Sequence, residues 1–126
     1  TYFNLEPEIA RLLFSPLPMN YSPPQTITNS QWTRLLVYIN GGITYEGACD
    51  AVRALLKIHF LSSGSKRLQL PKEEEIALIT KALQGKTWKT AARLSRIPAG
   101  AIKSRFREII RRLVLFYAPK KVLTLF

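Results

Sequence analysis

The chain has 126 residues, of which 47% are hydrophobic and 21% charged, a composition typical of a globular protein and not of a disordered one. No apolar run approaches the ~18–20 residues needed to cross a bilayer, which excludes a transmembrane protein. With one cysteine and one histidine, the chain can form neither a disulfide scaffold nor a Cys/His zinc site. It begins with threonine, so we expect a fragment of a longer protein.

The charge is strongly polarised along the chain. Nineteen basic residues stand against eight acidic ones, a net charge of +11. Residues 1–80 hold seven of each sign, whereas residues 81–126 hold twelve basic residues and a single acid, Glu108. Such a distribution suits a polyanionic partner, either nucleic acid or an anionic membrane surface. The alternative is a solvated basic face that has no partner.

The N-terminal segment combines a short helix with a proline-rich stretch. Helical spacing of apolar residues, with Asn4 as a cap, predicts a helix over residues 4–14. Four prolines follow, at positions 16, 18, 23 and 24, and exclude a helix there. We expect an extended arm that packs on the rest of the protein, with a disordered linker as the alternative.

The remainder of the chain predicts helices, and no strand pattern competes with them. Helical periodicity and capping residues place them at about 30–38, 44–60, 71–84, 87–95 and 99–117. Asn40-Gly41-Gly42 ends the first of these helices, Gly85 ends the third, and Ile97-Pro98 separates the last two. The predicted fold class is therefore all-α, a helical bundle.

Two parts of the bundle resemble each other at an offset of 43 residues. Gly42-Ile43-Thr44-Tyr45 matches Gly85-Lys86-Thr87-Trp88, so that in both copies a helix ends at glycine and the next begins at a threonine cap. Chance similarity over so few positions is the alternative. We divide the chain into the arm (1–26), a degenerate first helical unit (27–66) and a second unit with an apolar tail (67–126).

Residues 87–112 have the pattern of a helix-turn-helix. Ala91 and Ala92 are small enough for the second helix to cross the first closely, and Pro98 breaks the chain between them. In the second helix, Ile102, Phe106, Ile109 and Leu113 form one apolar docking stripe. The opposite, basic face is left free to enter the major groove of DNA.

The candidate DNA contacts are the small and basic residues on and before that helix: Lys86, Lys89, Gly100, Lys103, Ser104, Arg107, Arg111 and Arg112. Lys103 and Arg107 could bond a guanine edge, whereas Arg111 and Arg112 could neutralise phosphates. Arg105 and Arg112 flank the docking stripe and could instead pair with the acidic run 73–75.

Other conspicuous side chains are predicted to serve the core. Trp32, Tyr45, Trp88 and Phe106 fall at core positions. His59 lies on an apolar stripe and predicts a packed histidine without an evident partner, and Cys49 lies near the buried stripe and predicts an inert thiol.

Residues 70–113 resemble the Myb/SANT-like, homeodomain-like class of helix-turn-helix domains. Leu70, Trp88 and Phe106 are spaced 18 and 18, as are the three core aromatics of Myb repeats, although Leu70 is not aromatic. The run 70–75 is similar to the Trp-Thr-x-Glu-Glu-Asp opening of such repeats. The run 85–92 is similar to their second helix. By this resemblance residues 27–66 would be a degenerate Myb-like unit.

A second, weaker resemblance covers residues 91–105, which are similar to the helix-turn-helix of bacterial sigma factor region 4. The usual turn glycine is absent, since Arg96 occupies its place. Both families share a three-helix core that reads DNA.

These resemblances imply sequence-specific binding of double-stranded DNA in a transcription, telomere or replication-control protein. The alternative is a SANT-like module that binds histone tails or partner proteins, although such modules usually carry an acidic reading face. We expect no enzyme, because no phosphate loop, carboxylate pair or nucleophile–base pair is evident. We likewise expect no cofactor, metal, small-molecule substrate or membrane partner.

Two further expectations concern assembly and location. The segment 113–117 is apolar on nearly every side of its helix, so either the N-terminal half or a second copy in a homodimer must cover it. A DNA-binding protein of this type would be nuclear, or would lie in the cytoplasm and nucleoid if bacterial.

Overall fold

The computed structural model describes residues 27–124, which are helical and contain no strand. The predicted all-α bundle is therefore confirmed for this range. The helix expected at 4–14 and the proline-rich arm lie outside the described residues.

The first two helices pack on each other and are joined by one short connection. Helix α1 is Asn29–Ile39 and begins at a capping box, in which Thr28 Oγ accepts from the Gln31 N–H and the Gln31 side chain accepts from the Thr28 N–H. Helix α2 is Tyr45–Leu61 and begins after Thr44. Gly41 between them has φ +82°, a left-handed conformation that glycine adopts without steric cost.

Four helices make up the second half of the described chain. Helix α3 is Lys72–Leu78 and continues as a π-helical turn over Ile79–Leu83; the prediction of one regular helix over 71–84 did not include this turn. Helix α4 is Trp88–Ser95, and helix α5 is Ile102–Tyr117. Helix α5 begins later than the predicted residue 99. A short helix α6, Lys120–Leu123, follows it.

Helix α5 is the element that both halves share. Its predicted docking stripe of Ile102, Phe106, Ile109 and Leu113 is fully buried or nearly so. Both α1 and α2 pack on α5 from one side, and α3 and α4 pack on it as well. One main hydrophobic core consequently draws residues from both of the units predicted at 27–66 and 67–126.

An aromatic cluster lies where the two halves meet. The rings of Tyr45, Trp88 and Phe106 contact one another edge to face with centroids 5.3–5.4 Å apart. Trp32, Tyr45 and Phe106 are buried, as predicted, whereas Trp88 is only half-buried. Tyr45 and Trp88 are the two aromatic residues that the 43-residue repeat equates, so the repeat residues meet in the core.

The apolar tail of α5 is covered only in part. Leu113 and Val114 are fully buried within the shared core, while Leu115 and Phe116 are 46% and 43% exposed. The N-terminal half therefore covers one side of the segment 113–117, which is one of the two alternatives given in the sequence analysis. A homodimer through the exposed side stays a prediction.

Candidate nucleic-acid interface

Helix α4 is a short amphipathic helix whose two ends are set by local hydrogen bonds. At its start, Thr87 Oγ accepts from the Thr90 N–H at 3.1 Å. Ala91 and Ala92 are buried and allow the close helix crossing that the sequence predicts. The face opposite these alanines is turned to solvent.

Helix α4 ends in a left-handed turn at Arg96. This residue has φ 63° and ψ 28°, and the backbone N–H groups of Arg96 and Ile97 both donate to the Ala92 carbonyl. Ile97 is buried directly after the turn. A side chain at this conformation costs roughly 1–2 kcal/mol relative to the right-handed region. Arg96 thus occupies, at that cost, the place where a helix-turn-helix usually has glycine.

Three exposed cations lie on α4 and at its C-terminal end. Lys89 and Arg93 are four residues apart on one side of the helix, about 5–6 Å between their Cβ atoms, and Arg96 follows at the left-handed residue that ends the helix. All three are exposed, and none makes an ion pair or side-chain hydrogen bond within residues 27–124. We refer to Lys89, Arg93 and Arg96 as the basic row.

Two arginines of α5 form salt bridges with a glutamate of α3. Glu74 is buried, and its Oε2 accepts from Arg105 Nε at 3.1 Å and from Arg112 Nη2. The alternative in which Arg105 and Arg112 pair with the acidic run is therefore the one that the structure adopts. Arg112, proposed as a phosphate contact, stabilises the α3–α5 packing instead.

Arg107 is also held against the protein. Its guanidinium carbon lies 5.5 Å from the centre of the Tyr38 ring in α1, and its Nε is buried without a hydrogen-bond partner in the described part of the chain. Burial raises the pKa of Tyr38 far above its usual value, and the positive charge of Arg107 acts in the opposite direction. The expected free, base-reading position of Arg107 is thus not what the structure shows.

All but one of the remaining candidate residues are exposed to solvent. Lys89, Gly100, Lys103, Ser104 and Arg111 are exposed. Lys86 is half-buried and has an interaction within the protein. The nearby Lys81 ammonium lies 4.5 Å from the centre of the Trp88 ring and donates to the Lys86 carbonyl, so it serves the core.

Arg93 and Arg96 were not among the predicted contact residues. The spacing of Arg93 from Lys89 could have identified it, because positions i and i+4 of a helix share one face. Arg96 lies in the turn that follows α4, where helical spacing gives no signal. The prediction gave weight to the longer and more basic helix α5 and overlooked the shorter one.

His59 has partners that the sequence did not reveal. It is fully buried, its Nδ1 lies 2.7 Å from the Tyr117 hydroxyl, and its Nε2 lies 3.4 Å from Glu75 Oε1. Arg67 donates to the other Glu75 oxygen at 2.7 Å, and the Leu68 N–H donates to the Tyr117 hydroxyl at 3.1 Å. This junction joins α2, the segment before α3, α3 itself and α5.

Residues 27–124 contain neither a metal-binding cluster nor a membrane-spanning helix. No cluster of three or more His, Cys, Asp or Glu side chains suited to a metal is present there. No helix in that range is both long enough and apolar enough to cross a membrane. Cys49 is half-buried, and its thiol donates to the Tyr45 hydroxyl at 3.3 Å.

Comparison with known proteins gives a consistent set of relatives. Three are named tRNA(Met) cytidine acetyltransferase TmcA. The protein of Methanopyrus kandleri is 47% identical over 73% of this chain, that of Pyrococcus furiosus 36% over 93%, and that of Thermococcus kodakarensis 34% over 98%. The chain spans only 10%, 14% and 15% of the length of these three proteins. No family model and no solved structure matches the chain.

These relatives overturn the family and function expected from the helix-turn-helix pattern. They are not Myb/SANT-like or sigma-like proteins, so the inferred family, the double-stranded DNA partner, the SANT-like interaction module and the transcriptional role are wrong. The expectation of a non-enzyme is wrong as well, because each relative is named as an acetyltransferase. Over most of its length, the chain is similar to a segment of proteins named tRNA(Met) cytidine acetyltransferase TmcA.

Proposed function

We propose that this chain is a tRNA-binding segment of a tRNA(Met) cytidine acetyltransferase, and that it holds the tRNA through the exposed cations of α4 and of the start of α5. The observation that carries the proposal is the basic row, since Lys89, Arg93 and Arg96 are exposed and engage no group of the described chain. The similarity to proteins named tRNA(Met) cytidine acetyltransferase supports tRNA as the polyanion.

The charge distribution supports the same role. The sequence has no acidic residue between Glu75 and Glu108, so no carboxylate from that stretch repels a phosphate near α4. Lys103, exposed in the first turn of α5, extends the basic surface beyond the turn. Phosphate contacts of this kind supply affinity and register, and their strength falls steeply with salt.

The test is a binding titration of the 126-residue chain against labelled tRNA(Met) and against a DNA duplex of similar length, each at two salt concentrations. We expect tighter binding to tRNA and a clear weakening at higher salt. The variant Lys89→Ala/Arg93→Ala should lose affinity for tRNA. The matched control is Lys57→Ala/Lys66→Ala, which removes the same charge from exposed positions in the other half of the protein.

Two results would contradict the proposal. One is a chain that binds tRNA no better than it binds the DNA duplex. The other is an equal loss of affinity in both double variants, which would mean that net charge matters and the position of the cations does not.

A further inference from the structure

The left-handed turn at the end of α4 holds an unusual residue. Four described residues with positive φ occur in the chain, and three of them are glycines: Gly41, Gly64 and Gly85. Arg96 is the fourth. The turn needs this conformation because it directs both the Arg96 and Ile97 N–H groups to the Ala92 carbonyl and brings Ile97 into the core. Glycine would meet the same requirement without strain.

The Arg96 side chain does nothing inside the protein that accounts for the strain. It is exposed and engages no group among residues 27–124. It also follows Arg93 by only three residues, and like charges close to each other repel. Its charge near the C-terminus of α4 is favourable for the helix dipole, but Arg93 already lies in that last turn. An unexplained strained residue is a reason to look for a ligand.

The surroundings indicate what kind of ligand fits. Guanidinium groups bind phosphate oxygens with two donors in a fixed plane. Unpaired RNA bases are usually bound by stacking on exposed aromatic rings, and no aromatic side chain is exposed in the segment 86–104. Its one aromatic ring, Trp88, packs against Tyr45 and Phe106. A row of cations without a stacking platform fits a sugar-phosphate backbone and not splayed bases.

We infer that the basic row follows the phosphate backbone of a double-helical RNA stem, and that Arg96 is kept in the left-handed conformation because it presents its guanidinium to that backbone. This inference rests on the proposed function and narrows it to one structural class of RNA. Stability and binding are then opposed at this single position.

The experiment compares the melting temperature with the affinity for RNA in variants of residue 96. The probes are tRNA, a blunt RNA duplex and an unpaired single strand of the same length. Arg96→Gly removes both the strain and the charge. Arg96→Asn removes the charge in a residue that tolerates the left-handed region, and Arg96→Lys keeps the charge. Lys57→Ala is the control for the loss of an exposed cation elsewhere.

We expect Arg96→Gly to melt at the same temperature as the parent chain or higher, and to bind the duplex and tRNA roughly three- to tenfold more weakly. The slope of log affinity against log salt should flatten by about 0.7–0.9 for the lost phosphate contact. Arg96→Asn should show the same loss of affinity. Arg96→Lys should retain most of the affinity, and Lys57→Ala should retain all of it.

The possible failures are distinguishable. A parent chain that binds tRNA while Arg96→Gly binds equally well overturns this inference and leaves the proposed function standing. A fall in both melting temperature and affinity makes Arg96 a structural residue and also overturns it, as does tighter binding to the single strand than to the duplex. A parent chain that does not bind tRNA overturns the proposed function, and this inference with it.

Discussion

Helices α4 and α5 are both basic, but they use their cations in different ways. In α5, Arg105 and Arg112 are bound to the buried Glu74, and Arg107 lies on the ring of Tyr38. In α4, Lys89 and Arg93 have no partner in the described chain. The number of charges on a helix therefore does not tell which charges are available to a ligand, because arginine is also a packing residue that covers apolar surface and pairs with buried acids.

The largest loss of stability should come from a substitution on the buried face of α5. Phe106 is fully buried and contacts both Tyr45 and Trp88. Phe106→Ala should therefore reduce the free energy of unfolding by about 3–5 kcal/mol. Urea denaturation measures this change, and a loss below about 1 kcal/mol would show that α5 is not the central helix. Trp88→Ala, at a half-buried position, should cost less.

The next effect should come from the arginines of α5 that pair with Glu74. Removing both in Arg105→Ala/Arg112→Ala leaves a buried carboxylate without its partners. We expect a loss of about 1–3 kcal/mol in the free energy of unfolding, less than for a fully buried pair because the two arginine side chains are 46% and 38% exposed.

Adding Glu74→Gln to that double variant separates charge from packing. The neutral amide is less costly to bury, so part of the lost stability should return. If the triple variant is no more stable than the double one, then packing of the arginine stems and not pairing with Glu74 explains the loss.

Substitutions of the exposed cations of α4 should change the stability of the protein less. Lys89→Ala/Arg93→Ala changes exposed residues that make no side-chain hydrogen bond or ion pair in the described chain, so its free energy of unfolding should lie within about 0.5 kcal/mol of the parent value. The two double variants, one on each helix, should thus affect opposite properties: stability for α5 and tRNA affinity for α4. A melting temperature of the α4 variant many degrees below that of the parent chain would contradict this prediction.

The smallest effect should come from a surface pair outside both helices. Arg34 Nη2 donates to Asp50 Oδ2 at 2.8 Å, and this hydrogen bond lowers the pKa of Asp50 below its ordinary 3.8. A lowered carboxyl pKa stabilises the folded chain at neutral pH, and the contribution disappears as the pH falls through that lowered value. Asp50→Asn should therefore reduce the melting temperature slightly at pH 7 and not at all in strong acid. An equal reduction at both pH values would contradict the assignment.

Much of the fold follows from short-range patterns in the sequence. Thr44 and Thr87 predicted where α2 and α4 begin, and the spacing of Ile102, Phe106 and Ile109 predicted the buried face of α5. The π-helical turn at 79–83 could not be predicted, because its residues keep an ordinary helical pattern. The start of α5 was placed three residues too early because Ala99, Gly100 and Ala101 are compatible with either a turn or a helix.

The candidate site was predicted less well than the fold, for two physical reasons. The partners that occupy Arg107 and Arg112, Tyr38 and Glu74, lie in other helices, and no local pattern connects them. The partner polyanion was misassigned because phosphates of DNA and of RNA attract the same cations. Charge density therefore indicated a nucleic acid but not which one, and the proposal of tRNA draws on the names of the relatives.

The buried junction around Tyr117 makes this residue a reporter of completed assembly. Its hydroxyl meets His59 and Leu68, which lie 58 and 49 positions earlier in the chain, so these contacts exist only once α5 has docked on the first half. Burial raises the pKa of Tyr117 above its ordinary 10.0. At a pH near that value, a larger fraction of the Tyr117 phenol is therefore neutral in the docked protein than in a chain whose α5 has come away. Because the chain has five tyrosines, the undocking of α5 is followed by the part of the phenolate absorbance that a Tyr117→Phe variant lacks.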